Sequence, residues 1–235
     1  MARREHDSRV AAIFDTVSGR YDFLNRVLSL GRDPAWRRRA VSYARLAAGE
    51  VALDVGVGTG DLAFDLLAAS DPSSRVVGID VSTRMLDHLR RRAAASPLGA
   101  RLEAREADAQ ALPFADASFD RVTAGFAVRN FGDLDAGLRE MRRVLRAGGR
   151  AVVLEFSLPP NAIVRLGFRA YIHGVVPRLA PLFGGDAAAY RYLPESIERF
   201  PRAEELAERF RAAGFARVRF ERLMLGGTAI HIAEA

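Results

Sequence analysis

Arg129 and Asn130 stand together between Val128 and Phe131, where the apolar stretch "FDRVTAGFAVRN" ends. A guanidinium stays protonated and is a poor base, so beside a ligand it serves as a fixed positive charge and hydrogen-bond donor. Upstream lies "LDVGVGTGD", in which Gly56, Gly58 and Gly60 are spaced G-x-G-x-G. Glycines there let the backbone turn sharply and let a ligand lie against main-chain atoms. The same spacing also serves a plain strand-to-helix turn. Asp61 occupies the place of the third glycine of a dinucleotide fingerprint, and carboxylates at Asp54 and Asp61 would repel the pyrophosphate that such a fingerprint holds at a helix N-terminus.

The loop therefore suits a ligand of positive charge. Asp80 ends the next strand at the distance expected of a carboxylate that accepts from a ribose hydroxyl. In "EADAQALPF", Asp108 and Ala109 are placed to edge an adenine with a carboxylate and a backbone amide. A cationic ligand with ribose and adenine but no phosphate is S-adenosylmethionine, and a nicotinamide cofactor fits less well. The candidate cofactor residues are Asp54, Gly56, Gly58, Thr59, Gly60, Asp80, Val81, Asp108 and Ala109. His173 and His231 have no metal-ligand partner at useful spacing, and no metal site is expected.

The elements that must position these groups alternate strand and helix. "VALDVGV", "RVVGIDV", "ARLEAREAD", "FDRVTAGF" and "GRAVVLEFS", the last after a break at Gly148 and Gly149, read as strands. Between them lie the helices "DLAFDLLAAS", "STRMLDHLRRRAAA" with Ser82 as N-cap, and "DLDAGLREMRRVL". The pattern predicts an α/β fold with a parallel sheet covered on both faces. "AEELAERFRAAGF" predicts a helix stopped by Gly214, and "ARVRFERL" with "GTAIHIAEA" a closing hairpin. The expected organisation is one domain over 1–235: a helical cap (1–49), a cofactor-binding core (50–158), a substrate or lid insertion (159–198) and a closing helix and hairpin (199–235). In parallel sheets ligands lie outside the carboxyl ends of the strands, which directs Arg129 and Asn130 toward the reacting group. The alternative is that Arg129 pairs with Asp133 or Asp135 and ties down the next helix.

Composition narrows the classes. There is no cysteine, which removes disulfides, cysteine zinc sites and thiol nucleophiles. The net charge is +6, and all 35 basic residues are arginine, which GC-rich codon usage explains as readily as a polyanionic partner. "WRRRAV" and "LRRRA" read as solvated helix faces. The start lacks a signal-peptide core and no run reaches the ~20 apolar residues of a membrane span, so a cytoplasmic protein is expected.

Over nearly its whole length the chain resembles the UbiE/MenG/Coq5 family of quinone-biosynthesis C-methyltransferases. The resemblance is carried by "VAAIFDTVSGRYDFLNRVLSLGRDPAWRR" with its YD-x-x-N core at Tyr21, Asp22 and Asn25, by "LDVGVGTGDLA", by "FAVRNFGD", by "LEFSLP", and by "YRYLPESIERFP" and "GFARVRFERLMLGGTAIH". The chain departs from the pattern at a few places. The loop's usual alanine and glycine are Gly56 and Val57, the glycine before the RN pair is Ala127, a serine is Gly125, and Pro194 replaces an alanine.

The resemblance implies a class I, Rossmann-like methyltransferase with a mostly parallel seven-stranded sheet and a C-terminal antiparallel hairpin. It implies S-adenosylmethionine as methyl donor, without metal, and a polyprenyl quinol as acceptor. It adds Gly125 to the cofactor contacts, through its backbone. It makes Arg129 and Asn130 the catalytic pair and Tyr21, Glu155, Tyr190 and Tyr192 the substrate contacts, although an aromatic clasp between helices would use Tyr190 and Tyr192 equally well. It leaves naphthoquinol and benzoquinol open; the arginine-only character tips the expectation to demethylmenaquinol. The apolar, arginine-bearing stretch 161–185 suits peripheral contact with the inner face of the plasma membrane or a tunnel for the isoprenoid. A homo-oligomer is compatible with the sequence. The alternatives are a methyltransferase with another small acceptor, one acting on RNA or DNA, and a non-catalytic S-adenosylmethionine sensor. The N-terminal and YRYL segments argue against the first. Against the second, there is neither an Asn/Asp-Pro-Pro-aromatic motif nor a cysteine; no nucleic acid is expected.

Overall fold

The computed structural model of the chain describes residues 29–175, 178 and 187–235, without the side chains of 187–191. Five strands, β1 (Val51–Val55), β2 (Arg75–Asp80), β3 (Leu102–Glu106), β4 (Phe119–Gly125) and β5 (Leu145–Phe156), pair in parallel. Two more, β6 (Arg217–Leu223) and β7 (Thr228–Glu234), form an antiparallel hairpin, and β7 pairs antiparallel with β5. The order across the single seven-stranded sheet is β3-β2-β1-β4-β5-β7-β6. The apolar run of β1, broken only by Asp54, has this cause: helices cover both faces, so both sets of side chains are buried.

On one face lie α1 (Asp33–Ala44), α2 (Asp61–Ala69) and α3 (Thr83–Ala94), which close over Val76, Val152 and Leu154 with Trp36, Leu66 and Leu89. On the other, α4 (Leu134–Val144) and α7 (Ala203–Ala212) bury Leu138, Met141 and Phe210 against Leu53, Val122 and Val153. Between them in the chain come α5 (Ala162–Ala170), a π-helical turn (Tyr171–Val175) and α6 (Ala187–Arg199), which contains Pro194.

The expected caps are present: the Ser82 hydroxyl accepts from the Met85 N–H at 3.1 Å, and Gly214 ends α7 at φ +96°. One boundary differs. β5 begins at Leu145, ahead of the glycines. Leu145 pairs with Phe119 and the register shifts before Arg121 meets Arg150, so Gly148 at φ +76° absorbs an irregularity inside the strand. Chain order runs outward from β1 through β2 to β3 on one side and from β4 to β5 on the other. The crevice between the carboxyl ends of β1 and β4 is the place where such a sheet holds a ligand.

Candidate active site

A cleft of about 680 Å³, counted to its open mouth, lies at that edge. Gly56 and Gly58 form one wall at φ +66° and +53°, values only glycine adopts without strain. A Cβ at Gly58 would meet nothing within 4 Å, so a ligand can approach the main chain there. Asp80 fastens the loop: its Oδ2 accepts from the Gly58 N–H and its Oδ1 from the Ser82 N–H, both at 2.9 Å. A carboxylate offers about four lone-pair sites, so Asp80 can hold a ribose diol as well. Val81, Asp108 and Ala109 complete the rim, with Asp108 its acidic member, and Ile79, Met85, Phe126 and Phe131 give the cleft apolar walls for a flat base.

Gln110 is a residue that sequence reasoning passed over. Its side-chain amide donates to Asp108 Oδ1 at 3.0 Å, and its Oε1 accepts from the Asp133 N–H at 2.6 Å. It thereby ties the adenine-side carboxylate to the start of α4. Its presence inside "EADAQALPF" was the available signal, but only the sheet brings Asp133 beside it.

Asp54 stands behind the loop rather than on the cleft wall. It is buried, its Oδ1 accepts from the Thr123 hydroxyl at 2.7 Å, and its Oδ2 has no hydrogen-bond partner. Burial, with a smaller contribution from Asp80, pushes its pKa up to about 7 against the Thr123 hydrogen bond. An orphaned oxygen of Asp54 behind the loop and the acidic side chains of Asp80 and Asp108 on the cleft wall suit a cation better than a phosphate.

The raised pKa has a consequence for folding. The unfolded carboxyl titrates near about 3.9, so the folded protein holds an extra proton between that pH and about 7. The Asp54 contribution is therefore most favourable at low pH and is lost as pH rises through that window. We expect urea midpoints of Asp54→Asn to fall less than wild type between pH 5 and pH 8. Parallel loss in both would overturn the assignment.

The Arg-Asn pair occupies a turn built to an unusual pattern. Phe126, directly after β4, holds φ +57°, a strained value for a bulky residue, while its N–H donates to Leu154 O at 2.8 Å. Its carbonyl accepts from Arg129 Nη1 and, at 3.5 Å, from Asn130 Nδ2. Arg129 is then held by Glu155 on β5: Nη1 donates to Oε1 at 2.8 Å and the Arg129 N–H to Oε2 at 3.2 Å. The two side chains are 2% and 1% exposed. Burial pushes the Glu155 pKa up and the guanidinium pulls it back. Asn130 faces the cleft, and Tyr192 on α6 donates its hydroxyl to Asn130 Oδ1 at 3.0 Å.

The structure thus separates the expected groups. Gly56, Gly58, Asp80, Val81, Asp108, Ala109 and Asn130 line one cleft, and Tyr192 reaches it through Asn130. Arg129 and Glu155 lie behind the wall, joined to each other. Neither Asp133 nor Asp135 pairs with Arg129: Asp133 caps α4 at Ala136 and Asp135 pairs with Arg209 at 2.8 Å. Gly60 is outside the lining; its left-handed φ starts α2, and a Cβ would strike Leu89. Thr59 gives its carbonyl to Arg92, and Gly125 packs toward Leu62. Asp61 does not add acidity to the loop, because Arg37 and Arg92 neutralise it at 3.1 and 2.5 Å. Tyr21 and the Tyr190 side chain lie outside the described residues. His231 is buried with Nε2 2.8 Å from Ala203 O, and burial drops its pKa to about 4, which keeps it neutral. Among the described residues no group of three or more His, Cys, Asp or Glu could hold a metal ion.

This sheet order with a glycine loop and acidic strand ends is that of a class I S-adenosylmethionine-dependent methyltransferase. A solved S-adenosylmethionine-dependent methyltransferase from Thermotoga maritima superposes with a TM-score of 0.66 over 95% of this chain and 98% of its own, at 19% identity. At the sequence level the chain matches the ubiE/COQ5 methyltransferase family over residues 2–235, and it belongs to that family. Relatives include a demethylmenaquinone methyltransferase of Thermus thermophilus, 48% identical over 94% of this chain and 99% of that protein. A ubiquinone/menaquinone biosynthesis C-methyltransferase of Geotalea uraniireducens is 40% identical over 98% and 97%.

Proposed function

We propose that the protein methylates a ring carbon of a polyprenyl quinol, demethylmenaquinol in the first place. The observation that carries this reading is the 48% identity, over 94% of this chain, with the Thermus protein of that name, and the cleft supplies the chemistry. When bound, S-adenosylmethionine supplies an electrophilic methyl group and the driving force for its transfer. Asp80 would hold its ribose, Asp108 and the Ala109 N–H its adenine edge, and Asp54 favours its positive charge from behind the loop. The ring carbon attacks, the sulfur–methyl bond breaks, and the ring proton then leaves.

Asn130 and Tyr192 are the polar side chains on the acceptor's side. With one hydroxyl and one amide they would hold a ring hydroxyl in the orientation that directs the nucleophilic carbon, while Phe126 and Phe131 exclude water. In the arginine clusters, Arg39 pairs with Glu221 and Arg90 with Asp87 on helix faces, and this reading does not call on nucleic acid. Among the described residues no helix is long and apolar enough to cross a membrane.

The test is methyl transfer from labelled S-adenosylmethionine to reduced demethylmenaquinol, with a benzoquinol of the ubiquinone pathway in parallel. Label in the naphthoquinol supports the reading, and label in both extends it to a dual enzyme. No label in either, with cofactor bound, refutes it. In the same assay Tyr192→Phe should lower kcat/KM about 10- to 100-fold, the effect of one or two lost hydrogen bonds. Its affinity for S-adenosylmethionine should be unchanged by equilibrium binding. A drop in that affinity instead would move Tyr192 to the cofactor.

A further inference from the structure

The exposed large apolar side chains among the described residues are Leu30, Val81, Ile163, Leu166, Val175 and Leu225. Their placement is one-sided. Val81 directly follows β2. Ile163 and Leu166, 82% and 70% exposed, lie on α5, which starts a few residues after the carboxyl end of β5. Leu225, 78% exposed, sits in the turn that leads into β7, whose first residue Thr228 pairs with Phe156 at that same end of β5. Gly226 packs on Pro159 and Pro160, which brings this turn against the approach to α5. Leu30 precedes α1, whose Arg37 reaches Asp61 at the start of α2, again at the carboxyl edge. Val175 belongs to the segment into which α5 continues. The loops at the amino edge carry no exposed large apolar residue.

We propose that this edge, with the cleft opening in it, docks on an anionic lipid bilayer through Ile163, Leu166 and Leu225. Leu225 is the most informative of the three. It holds φ +55°, a conformation in which glycine would be unstrained, yet a leucine is kept there and presented to solvent. Packing does not require its side chain, whereas insertion into lipid would use it. Charge selects the kind of surface: residues 161–185 contain three arginines and no acidic residue, on a chain of net charge +6. Glu198 pairs with Arg169 at 3.0 Å, but Arg165 and Arg178 carry no carboxylate partner among the described residues. Exposed Arg32 and Arg84 flank the same edge. Of the carboxylates at that edge, Asp80 and Asp108 are half-buried and Glu106 is exposed at the end of β3, across the sheet from α5 and Leu225, which puts the contact on the side of those two. The purpose of the contact, delivery of a lipid-tailed acceptor to the cleft, rests on the proposed function; the surface itself does not.

The experiment is co-sedimentation of the full chain with vesicles of phosphatidylcholine alone or mixed with phosphatidylglycerol. Binding is expected to the mixed vesicles and to weaken with salt. The double variant Ile163→Asp with Leu166→Asp should lose at least about tenfold in partition. Leu225→Gly should also bind more weakly, while its melting temperature stays equal or rises because strain is relieved. Transfer to a short-tailed, water-soluble quinol should be the same for Leu225→Gly as for wild type. Wild type that stays in solution with mixed vesicles would overturn the proposal, as would variants that sediment like it. A wild-type dimer that the double variant splits would assign the face to a second copy and overturn it too. Vesicle binding without methylation of any quinol would sink the proposed function and leave the surface standing.

Discussion

Arg129→Ala should destabilise the protein by about 3–5 kcal/mol, the cost of leaving one member of a buried ion pair without its partner. Glu155 would keep only backbone donors, the Phe156 N–H at 2.8 Å and the N–H of residue 129. Burial already pushes the Glu155 pKa up with Arg129 present, and without the guanidinium the carboxyl rises further and takes up a proton. The deficit should therefore be larger at pH 8 than at pH 5.5, and urea titrations at the two values would show it. The apolar pair Arg129→Met with Glu155→Leu should recover most of the stability. It should not recover turnover, because the guanidinium also holds the carbonyl of left-handed Phe126, and with it the turn that presents Asn130. An Arg129→Ala protein of wild-type stability that has lost only its turnover would return the arginine to the reacting group.

That outcome matters because Arg129 is where reading the sequence and seeing the structure diverge. A charged pair at the end of a parallel strand does sit beside the cleft, but which of its two side chains lines that cleft depends on the neighbouring strand. Glu155 lies far along the chain and reaches Arg129 only because β5 pairs beside β4, a relation that no local spacing contains. The same holds for Asp61, which reads as an acidic loop residue until α1 brings Arg37 and α3 brings Arg92 against it. Periodicity, by contrast, is a local property of burial, so the core strands, the helices between them and the closing hairpin are legible, while α5 and α6 read only as an insertion and the start of β5 is hidden by its internal glycines.

Two departures from the family pattern prove to be one event in space. The resemblance expects an alanine at position 56 and a glycine at 127, and here the order is Gly56 and Ala127. A Cβ on Gly56 would overlap the Ala127 Cβ. The floor of the cleft has room for one methyl group, and the chain carries it on the turn after β4 instead of on the glycine loop. The exchange keeps the two walls in contact and so preserves the width of the cleft. Each residue alone is a departure; together they fill one volume.

Asp80→Ala should weaken S-adenosylmethionine binding at least about 100-fold, or about 2.7 kcal/mol. The carboxylate has two tasks that a smaller side chain abandons together. It would accept from the ribose hydroxyls, and it pins the Gly58 N–H, which holds the loop in its left-handed course. Asp80→Asn retains one acceptor oxygen and should lose less. Calorimetric titration with S-adenosylmethionine separates the three proteins. A second readout distinguishes this from a general loosening of the fold. Asp80 contributes to the raised pKa of Asp54 through like-charge repulsion, so its removal should lower that pKa and move the pH window of Asp54-linked stability downward. A variant that binds weakly but leaves the window in place would mean that Asp80 acts only on the ligand. One that binds normally would place the ribose elsewhere. Asp80→Ala with both changes would show that a single carboxylate, between two stretches of backbone, sets the shape of the loop and the charge behind it.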